Sequence, residues 1–258
     1  MPLATRFRGV TSREGVVLHG PSGWGEFAPF AEYPPPVAAR WLAAAIEAAW
    51  GTWPAPLRDE VPVNLIVPEL DPVAAAVHVR ACLDRDGTTT AKVKVSGSGD
   101  LGADEDRVAA VRAALDHAGV PWARIRIDVN GGWSLREATT RLPVLDRAAR
   151  GLEYVEQPCE SLDDLAALRR ASGVPVALDE GVRLAADGAD DDPAWRRAVR
   201  EACDVVILKP TPMGGVARAL AVAQRLRRPA VVSGAMDTSV GLAAGVAAAA
   251  GLPQLDHA

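Results

Sequence analysis

Acidic and basic residues that could transfer protons recur along this chain at nearly equal intervals. Asp128, Glu156 and Asp179 follow one another after 28 and 23 residues. Lys209 comes 30 residues after the last acid, and Lys94 precedes the first. Each stands at or near the end of a short run rich in aliphatic and β-branched side chains, and each interval fits one strand and one helix. The spacing therefore predicts that these side chains come from the ends of neighbouring strands.

The three acids predict a metal site. Carboxylates gathered in one place repel one another unless a cation holds them together. Asp128, Glu156 and Asp179 offer only oxygen atoms, and no histidine or cysteine stands at a ligand spacing beside them. Oxygen ligands favour a hard divalent ion. We therefore expect Mg²⁺ as the cofactor, with Mn²⁺ as the alternative.

The lysines predict a general base beside that metal. Lys92 and Lys94 are two residues apart on a predicted strand and so point to the same face, which we expect to be the interior. Burial would lower the pKa of such a lysine toward neutrality, which suits a base. In a closed barrel, Lys94 and Lys209 would face each other across the metal. A lysine there could remove a proton next to a metal-bound carboxylate while the metal stabilises the enediolate.

The elements that position these residues alternate regularly from residue 61 onward. Predicted helices separate the strands at 104–117, 134–149, 162–172 and 214–226, and Ser134 and Ser161 are predicted caps. This alternation is typical of a TIM-type β/α barrel, whose chemistry lies at the C-terminal ends of the strands. An open doubly wound sheet is the alternative, but no G-x-G-x-x-G follows the first strand. The predicted strands are 61–67, 90–95, 124–130, 152–156, 174–179, 204–209, 229–233 and 253–256.

The first sixty residues differ from this repeat. They contain a short predicted strand at 15–20, a tight glycine-rich loop at 22–27 that leads into another strand, and a helical pattern at 37–50. We therefore expect a small α+β capping domain at 1–60 and a barrel domain at 61–258.

Composition excludes several classes of protein. The 258 residues carry a formal net charge of -5, and 49% of them are hydrophobic, which allows a large core. Mild acidity disfavours a nucleic-acid or membrane-surface partner. Three well-separated cysteines and the lack of a signal-peptide pattern favour a reduced, cytoplasmic protein. The sequence does not fix the oligomeric state, and a monomer is compatible with it.

The ordered set K-x-K, D-x-N, E-Q-P, D-E and K-P resembles the enolase superfamily, in its muconate-lactonizing-enzyme-like branch. Enzymes of this superfamily use a lysine or histidine base with Mg²⁺. Within the branch, the chain looks most like the actinobacterial o-succinylbenzoate synthases. The stretches that support this are GWGEFAPF from Gly23 and SGAMDTSVG from Ser233. Members of that family continue past the eighth strand, so the resemblance also implies a barrel without the usual C-terminal tail.

The resemblance implies a role for each motif. Lys94 would be the base, and Lys209 would stabilise the enediolate from the opposite face. The implied metal ligands are Asp128, Glu156 and Asp179, and the implied supporting residues are Lys92, Arg126, Asn130 and Glu180. The implied substrate-binding residues are Gly23, Trp24 and Phe27, in a loop that closes over the ring, and Ser233, Gly234 and Met236 at the succinyl tail.

The implied reaction is the syn dehydration of 2-succinyl-6-hydroxy-2,4-cyclohexadiene-1-carboxylate to o-succinylbenzoate in menaquinone biosynthesis. Its product is aromatic, so the elimination is strongly downhill. Three alternatives stay open. Two opposed lysines also suit an N-succinylamino acid racemase. A dipeptide epimerase or cycloisomerase shares the scaffold, although an epimerase would carry an acid pair where Gln254 and Asp256 stand. A shortened, non-catalytic barrel is disfavoured by the intact metal and lysine positions.

Overall fold

The computed structural model describes residues 1–7, 10–95, 97–185 and 187–255. The chain divides into two compact units. The first unit comprises Met1–Val61, Val182–Asp190 and residues 207–255. The second unit comprises Pro62–Gly181 and Asp191–Val206. The division into 1–60 and 61–258 expected from the sequence stays a prediction.

The N-terminal part of the first unit is α+β. Strands β1 (Pro2–Phe7) and β2 (Val10–Ser12) pair antiparallel, as do β3 (Val16–Gly20) and β4 (Gly23–Phe27), before helix α1 (Pro35–Trp50). The tight loop expected at 22–27 is wrong over Gly23–Phe27, because these residues form a paired strand. A two-residue turn joins β3 to β4, and Gly23 supplies the positive φ of 135° that completes it. At Gly25 a Cβ would collide with the Ala45 carbonyl, so only glycine lets β4 lie this close to α1.

A seven-stranded sheet follows, in the order of the sequence. Strands β5 to β10 pair parallel, and β11 lies next to β10. The predicted α/β alternation is therefore confirmed. The eighth predicted strand is wrong over Pro253–Leu255, where Pro253 has no N–H to donate to a ladder; Asp256 lies outside the described residues. The strands are β5 (Leu65–Val67), β6 (Thr90–Lys94), β7 (Arg124–Asp128), β8 (Tyr154–Glu156), β9 (Val176–Leu178), β10 (Val205–Leu208) and β11 (Ala230–Val232).

Helices separate these strands and follow the last one. The predicted caps are present: Ser134 and Glu137 form a capping box, and the Ser161 side chain accepts a hydrogen bond from the backbone of Asp164. Among the helices of the described residues, none has the length and apolar character to span a membrane. The helices are α2 (Pro72–Asp86), α3 (Leu101–His117), α4 (Leu135–Ala149), α5 (Leu162–Ala171), α6 (Glu180–Arg183), α7 (Pro193–Ala202), α8 (Pro210–Met213), α9 (Val216–Leu226) and α10 (Ser239–Gly251).

The core of the second unit explains which strand face is free for polar residues. Val93 and Ile127 are fully buried and alternate with polar neighbours on β6 and β7. Val111 and Leu115 on α3 are also fully buried. Each such side chain stabilises the fold by about 1.5–3 kcal/mol. Because successive strand residues point to opposite faces, the polar residues of β6 and β7 share the other face of the sheet.

Candidate active site

Strand register brings the polar residues of the second unit into two rows. Lys94 lies opposite Asp128, and Asp128 lies opposite Glu156, where β6, β7 and β8 end. One step earlier, Lys92 lies opposite Arg126, and Arg126 opposite Tyr154. Paired residues of a parallel sheet project to the same side, so both rows occupy one face. Sheet pairing alone therefore brings three basic side chains and two acids to one face of the sheet.

Lys92 joins two of the acids. Its Nζ donates to both Glu156 oxygens at 2.6 and 2.7 Å and lies 2.9 Å from Oδ2 of Asp128. Burial alone would lower the pKa of Lys92, but the carboxylates of Asp128 and Glu156 outweigh it and hold this pKa well above its ordinary value. The expectation that burial lowers the lysine pKa is therefore wrong for Lys92. This lysine stays charged and contacts two of the acids, and the supporting role implied for it stays a prediction.

Lys94 ends β6 at a more exposed position. Its Nζ donates to Oδ2 of Asp128 and to Oδ1 of Asn130, each at 2.6 Å. Asn130 has a positive φ of 52°, which lets its N–H reach back to Oδ1 of Asp128 at 3.1 Å. Its Nδ2 donates to Glu180 at 3.3 Å. Asn130 thus connects Lys94 to the acid that begins α6.

Asp179 is held by a residue to which the sequence assigned no role. The buried Gln157 accepts hydrogen bonds from the N–H groups of Asp179 at 3.0 Å and Gly181 at 3.4 Å. Its Nε2 donates to the Cys159 carbonyl at 2.9 Å. Gln157 therefore fixes the backbone on both sides of the turn that carries Asp179. The signal was present in the E-Q-P motif, but nothing local connected it to a residue 22 positions later.

Arg126 lies in the second row of polar residues, two positions before Asp128 on β7. Its Nε donates to Glu153 at 2.6 Å, and its guanidinium lies 4.9 Å from the centre of the Tyr154 ring. A further bond reaches Asn64 at 3.3 Å. These contacts hold the Arg126 guanidinium on the same face of the sheet as Lys92. The supporting role implied for Arg126 stays a prediction.

The three acids suit a hard cation by their chemistry. Asp128, Glu156 and Asp179 are all almost fully buried, and buried carboxylates need compensating positive charge. Lys92 contacts Asp128 and Glu156, and Lys94 contacts Asp128, so the lysines compensate part of this negative charge and a divalent ion would compensate the rest. Within the described residues, no three carboxylate, imidazole or thiol side chains are already arranged to hold a metal. The fit to Mg²⁺ therefore rests on oxygen donors and charge.

Lys209 and the residues expected at the succinyl tail lie in the first unit. Lys209 follows β10 and is the N-cap of α8, where its N–H contacts Sδ of Met213 at 3.3 Å. The N–H of Ser233 donates to the Leu208 carbonyl at 2.9 Å, which ties the end of β11 to the residue before Lys209. Gly234 and Met236 follow on the same loop. The structure therefore brings Lys209 and this loop to matching ends of adjacent strands.

The residues expected over the substrate ring lie on β4. Gly23 and Phe27 are its first and last residues, and Trp24 is 57% exposed with its ring 4.3 Å from that of His19. Trp24 also lines a cavity of about 530 Å³ in the first unit, together with Trp53 and the start of α10. Trp24 is therefore available to a small molecule, while its backbone is fixed by strand pairing.

Comparison with known proteins identifies what the chain resembles. Residues 74–258 match the family model described as enolase C-terminal domain-like, and residues 1–49 match the enolase N-terminal domain-like model. The o-succinylbenzoate synthase of Thermobifida fusca is 52% identical over all of this chain and 77% of its own length. That of Mycolicibacterium smegmatis is 46% identical over all of this chain and 75% of its own length.

Solved structures show the same fold. The L-Ala-D/L-Glu epimerase of Bacillus subtilis superposes with a TM-score of 0.78 and 23% identity, over 98% of this chain and 84% of the epimerase. The muconate lactonizing enzyme of Pseudomonas putida gives a TM-score of 0.67 and 22% identity, over 78% of this chain and 54% of the enzyme. At these identities the likeness establishes the fold alone, and it confirms the fold class expected from the sequence.

Proposed function

The chain belongs to the enolase superfamily, and from that membership we propose that it is an o-succinylbenzoate synthase. The observation that carries this proposal is the row Lys94, Asp128 and Glu156, in which a lysine contacts the first of two neighbouring strand-end acids. Identity of 46–52% to curated o-succinylbenzoate synthases over the whole chain supports the same assignment. The enzyme would be a carbon–oxygen lyase acting on a small carboxylate.

Lys94 would act as the base. In the proposed reaction its neutral amine takes the proton beside the ring carboxylate, the C–O bond to the neighbouring hydroxyl breaks, and the ring becomes aromatic. Because the elimination is syn, the proton and the hydroxyl leave from one face, so the Lys94 ammonium can return its proton to the departing oxygen as water. Asn130, which accepts a hydrogen bond from Lys94 at 2.6 Å, would orient the amine throughout.

Asp128, Glu156 and Asp179 would hold Mg²⁺, with Mn²⁺ as a substitute. When bound, the ion supplies Lewis-acid stabilisation of negative charge on the substrate carboxylate. Lys92 would stay charged and keep the two acids it contacts in place. Arg126 and Glu180 would support that arrangement at its two ends.

Lys209 would supply a second positive charge to the enediolate. Ser233, Gly234 and Met236 would bind the succinyl tail, and Gly23, Trp24 and Phe27 would border the ring. A charge fixed in advance stabilises a developing anion better than solvent does. The buried thiols of Cys82, Cys159 and Cys203 are not joined in disulfides, which supports a cytoplasmic location.

An ultraviolet assay tests the proposal. The purified chain is mixed with the cyclohexadiene substrate in the presence of Mg²⁺, then with EDTA, and then with Mg²⁺ restored in excess. We expect loss of the diene absorbance with Mg²⁺, none with EDTA, and recovery on restoration. The control is the same cycle without protein, which measures spontaneous dehydration.

The other outcomes separate the alternatives. A folded chain that leaves the diene intact but racemises N-succinylamino acids would be a racemase. Conversion that persists unchanged in EDTA would exclude the metal from the reaction. Absence of both activities from a folded chain that binds no Mg²⁺ would leave the non-catalytic barrel.

A further inference from the structure

A buried carboxylate on β4 holds the start of α10, in the first unit. Glu26 is only 5% exposed, and its Oε2 accepts hydrogen bonds from the N–H groups of Thr238 at 2.9 Å and Gly241 at 3.0 Å. The Thr238 hydroxyl donates to the same oxygen. Thr238 is the N-cap of α10, so Glu26 also faces the positive end of that helix. A residue 212 positions earlier thus fixes the end of the loop that follows β11.

A second acid holds the middle of this loop. Asp237 accepts hydrogen bonds from the Ala235 N–H at 2.6 Å and from the Thr211 hydroxyl at 3.0 Å. Thr211 lies on α8, two residues after Lys209. Asp237 therefore connects the loop to the segment that begins with Lys209.

One cation serves both acids. Arg13 is buried and interacts electrostatically with Asp237 and Glu26. Its guanidinium donates to the Ala28 carbonyl and lies 4.1 Å from the centre of the Phe30 ring. The charge of Arg13 therefore partly compensates the two carboxylates. Both Glu26 and Asp237 accept hydrogen bonds from the loop between β11 and α10.

We propose that Glu26 and Asp237 are positioning residues for the substrate tail. The segment 233–236 lies between the two anchors at Thr238 and Asp237 and the Ser233 contact with Leu208, so the acids set where it stands relative to Lys209. This inference rests on the proposed function, in which that segment binds the succinyl group. In this proposal, Glu26 and Asp237 together set the distance between the segment 233–236 and Lys209.

The hydrogen-bond pattern chooses the variants. Three donors converge on one oxygen of Glu26, so Glu26→Gln keeps an oxygen that can accept all of them. Glu26→Ala removes the acceptor and leaves the loop held by Asp237 and by the Ser233 contact with Leu208. Asp190→Asn is the matched control, because Asp190 is another buried acid of the first unit but pairs with Arg218 and Arg225 on α9.

The experiment measures two dissociation constants in each variant, with Mg²⁺ present, by calorimetry. One ligand is o-succinylbenzoate, and the other is benzoate, which lacks the tail. We expect Glu26→Ala to raise the dissociation constant of o-succinylbenzoate about tenfold, as the loss of one well-made contact would. The dissociation constant of benzoate should change less than about twofold. Glu26→Gln should bind o-succinylbenzoate about as tightly as the wild type does. In turnover, Glu26→Ala should raise KM more than it lowers kcat.

Each other result has one meaning. Two results in Glu26→Ala overturn the positioning role, provided that the wild-type chain binds o-succinylbenzoate. One is an equal loss of affinity for both ligands, and the other is unchanged affinity for o-succinylbenzoate. A loss of selectivity in Asp190→Asn of the same size overturns it as well, since general destabilisation would then suffice. Failure of the wild-type chain to bind o-succinylbenzoate overturns the proposed function itself.

Discussion

At the scale of single residues, the choice of cation is informative. The chain has three lysines, Lys92, Lys94 and Lys209. Apart from the histidines, every other basic residue is an arginine. Arginine stays charged in proteins, whereas lysine can lose its proton when its surroundings favour the neutral form. Two of the three lysines contact Asp128, and the third begins the segment after β10. The three lysines therefore stand at the positions to which the proposed function assigns a proton transfer or a compact positive charge.

Substitution of Lys94 or Lys209 by alanine should abolish dehydration. We expect kcat to fall by at least about 10²–10⁴-fold in Lys94→Ala, the usual contribution of a positioned base. Lys209→Ala should lose a comparable amount because a stabilising charge is removed. The measurement is the diene assay, with circular dichroism to check that each variant is folded.

Arginine substitutions distinguish the two roles. Lys209→Arg keeps the positive charge and should retain part of the activity, whereas Lys94→Arg cannot be deprotonated and should be inactive. Turnover of Lys94→Arg near the wild-type level would remove Lys94 as the base. Equal loss in both arginine variants would show that Lys209 does more than supply charge.

At the scale of elements, α9 is fixed by carboxylates from outside itself. Its N-cap, Gly215, has no side chain, and Glu47 of α1 instead accepts from the N–H groups of Val216 at 2.6 Å and Ala217 at 3.1 Å. Asp190 pairs with two arginines of the same helix, Arg218 and Arg225. α9 is therefore held at its N-terminus by the half-buried Glu47 and along one side by the buried Asp190.

The Asp190 pairing should appear as acid-sensitive stability. The hydrogen bond from Arg218 lowers the pKa of Asp190 from 3.8 to about 2. A lowered folded-state pKa gives stability that is fully present above pH 3.8 and is lost as the pH falls toward 2. Asp190→Asn should cost about 1–3 kcal/mol at pH 6, as expected for charged hydrogen bonds. It should also flatten the pH dependence of the urea midpoint below pH 4, as estimated from this linkage.

Asp59→Asn is the control for that measurement, because Asp59 is exposed. It should leave both the midpoint and its pH dependence as in the wild type. An Asp190→Asn midpoint that still falls with acid as steeply as the wild-type midpoint would assign the pH dependence to other carboxylates.

At the scale of the whole molecule, local patterns predicted the elements but not the bonds between distant ones. Ser134 capped its helix as expected because the capping partner stands three residues away. Glu26 and Glu47 perform the same task across 212 and 169 residues, and no short motif records such a contact. The raised pKa of Lys92 likewise depends on contacts that no local pattern predicts. Attraction outweighs burial there only because two carboxylates lie within 3 Å, a distance that strand register sets.

The acid row should make the stability of the whole chain depend on Mg²⁺. The folded chain holds Asp128, Glu156 and Asp179 on neighbouring strand ends, and the unfolded chain does not. A ligand that binds only the folded state stabilises it by about 2.7 kcal/mol at a hundred times its Kd. For a chain of this length that corresponds to a rise in Tm of about 5–10 °C. Calorimetric scans with increasing Mg²⁺ measure it.

Asp179→Asn separates metal binding from general salt effects. It replaces one of the three proposed anionic ligands with a neutral amide, so Mg²⁺ should raise its Tm much less than that of the wild type. Asp190→Asn, whose buried acid pairs with α9, should start from a lower Tm and still show the full rise. An equal rise in Asp179→Asn and the wild type would exclude Asp179 as a ligand. A rise produced equally by Na⁺ at matched ionic strength would exclude a specific site, because screening alone would then explain it.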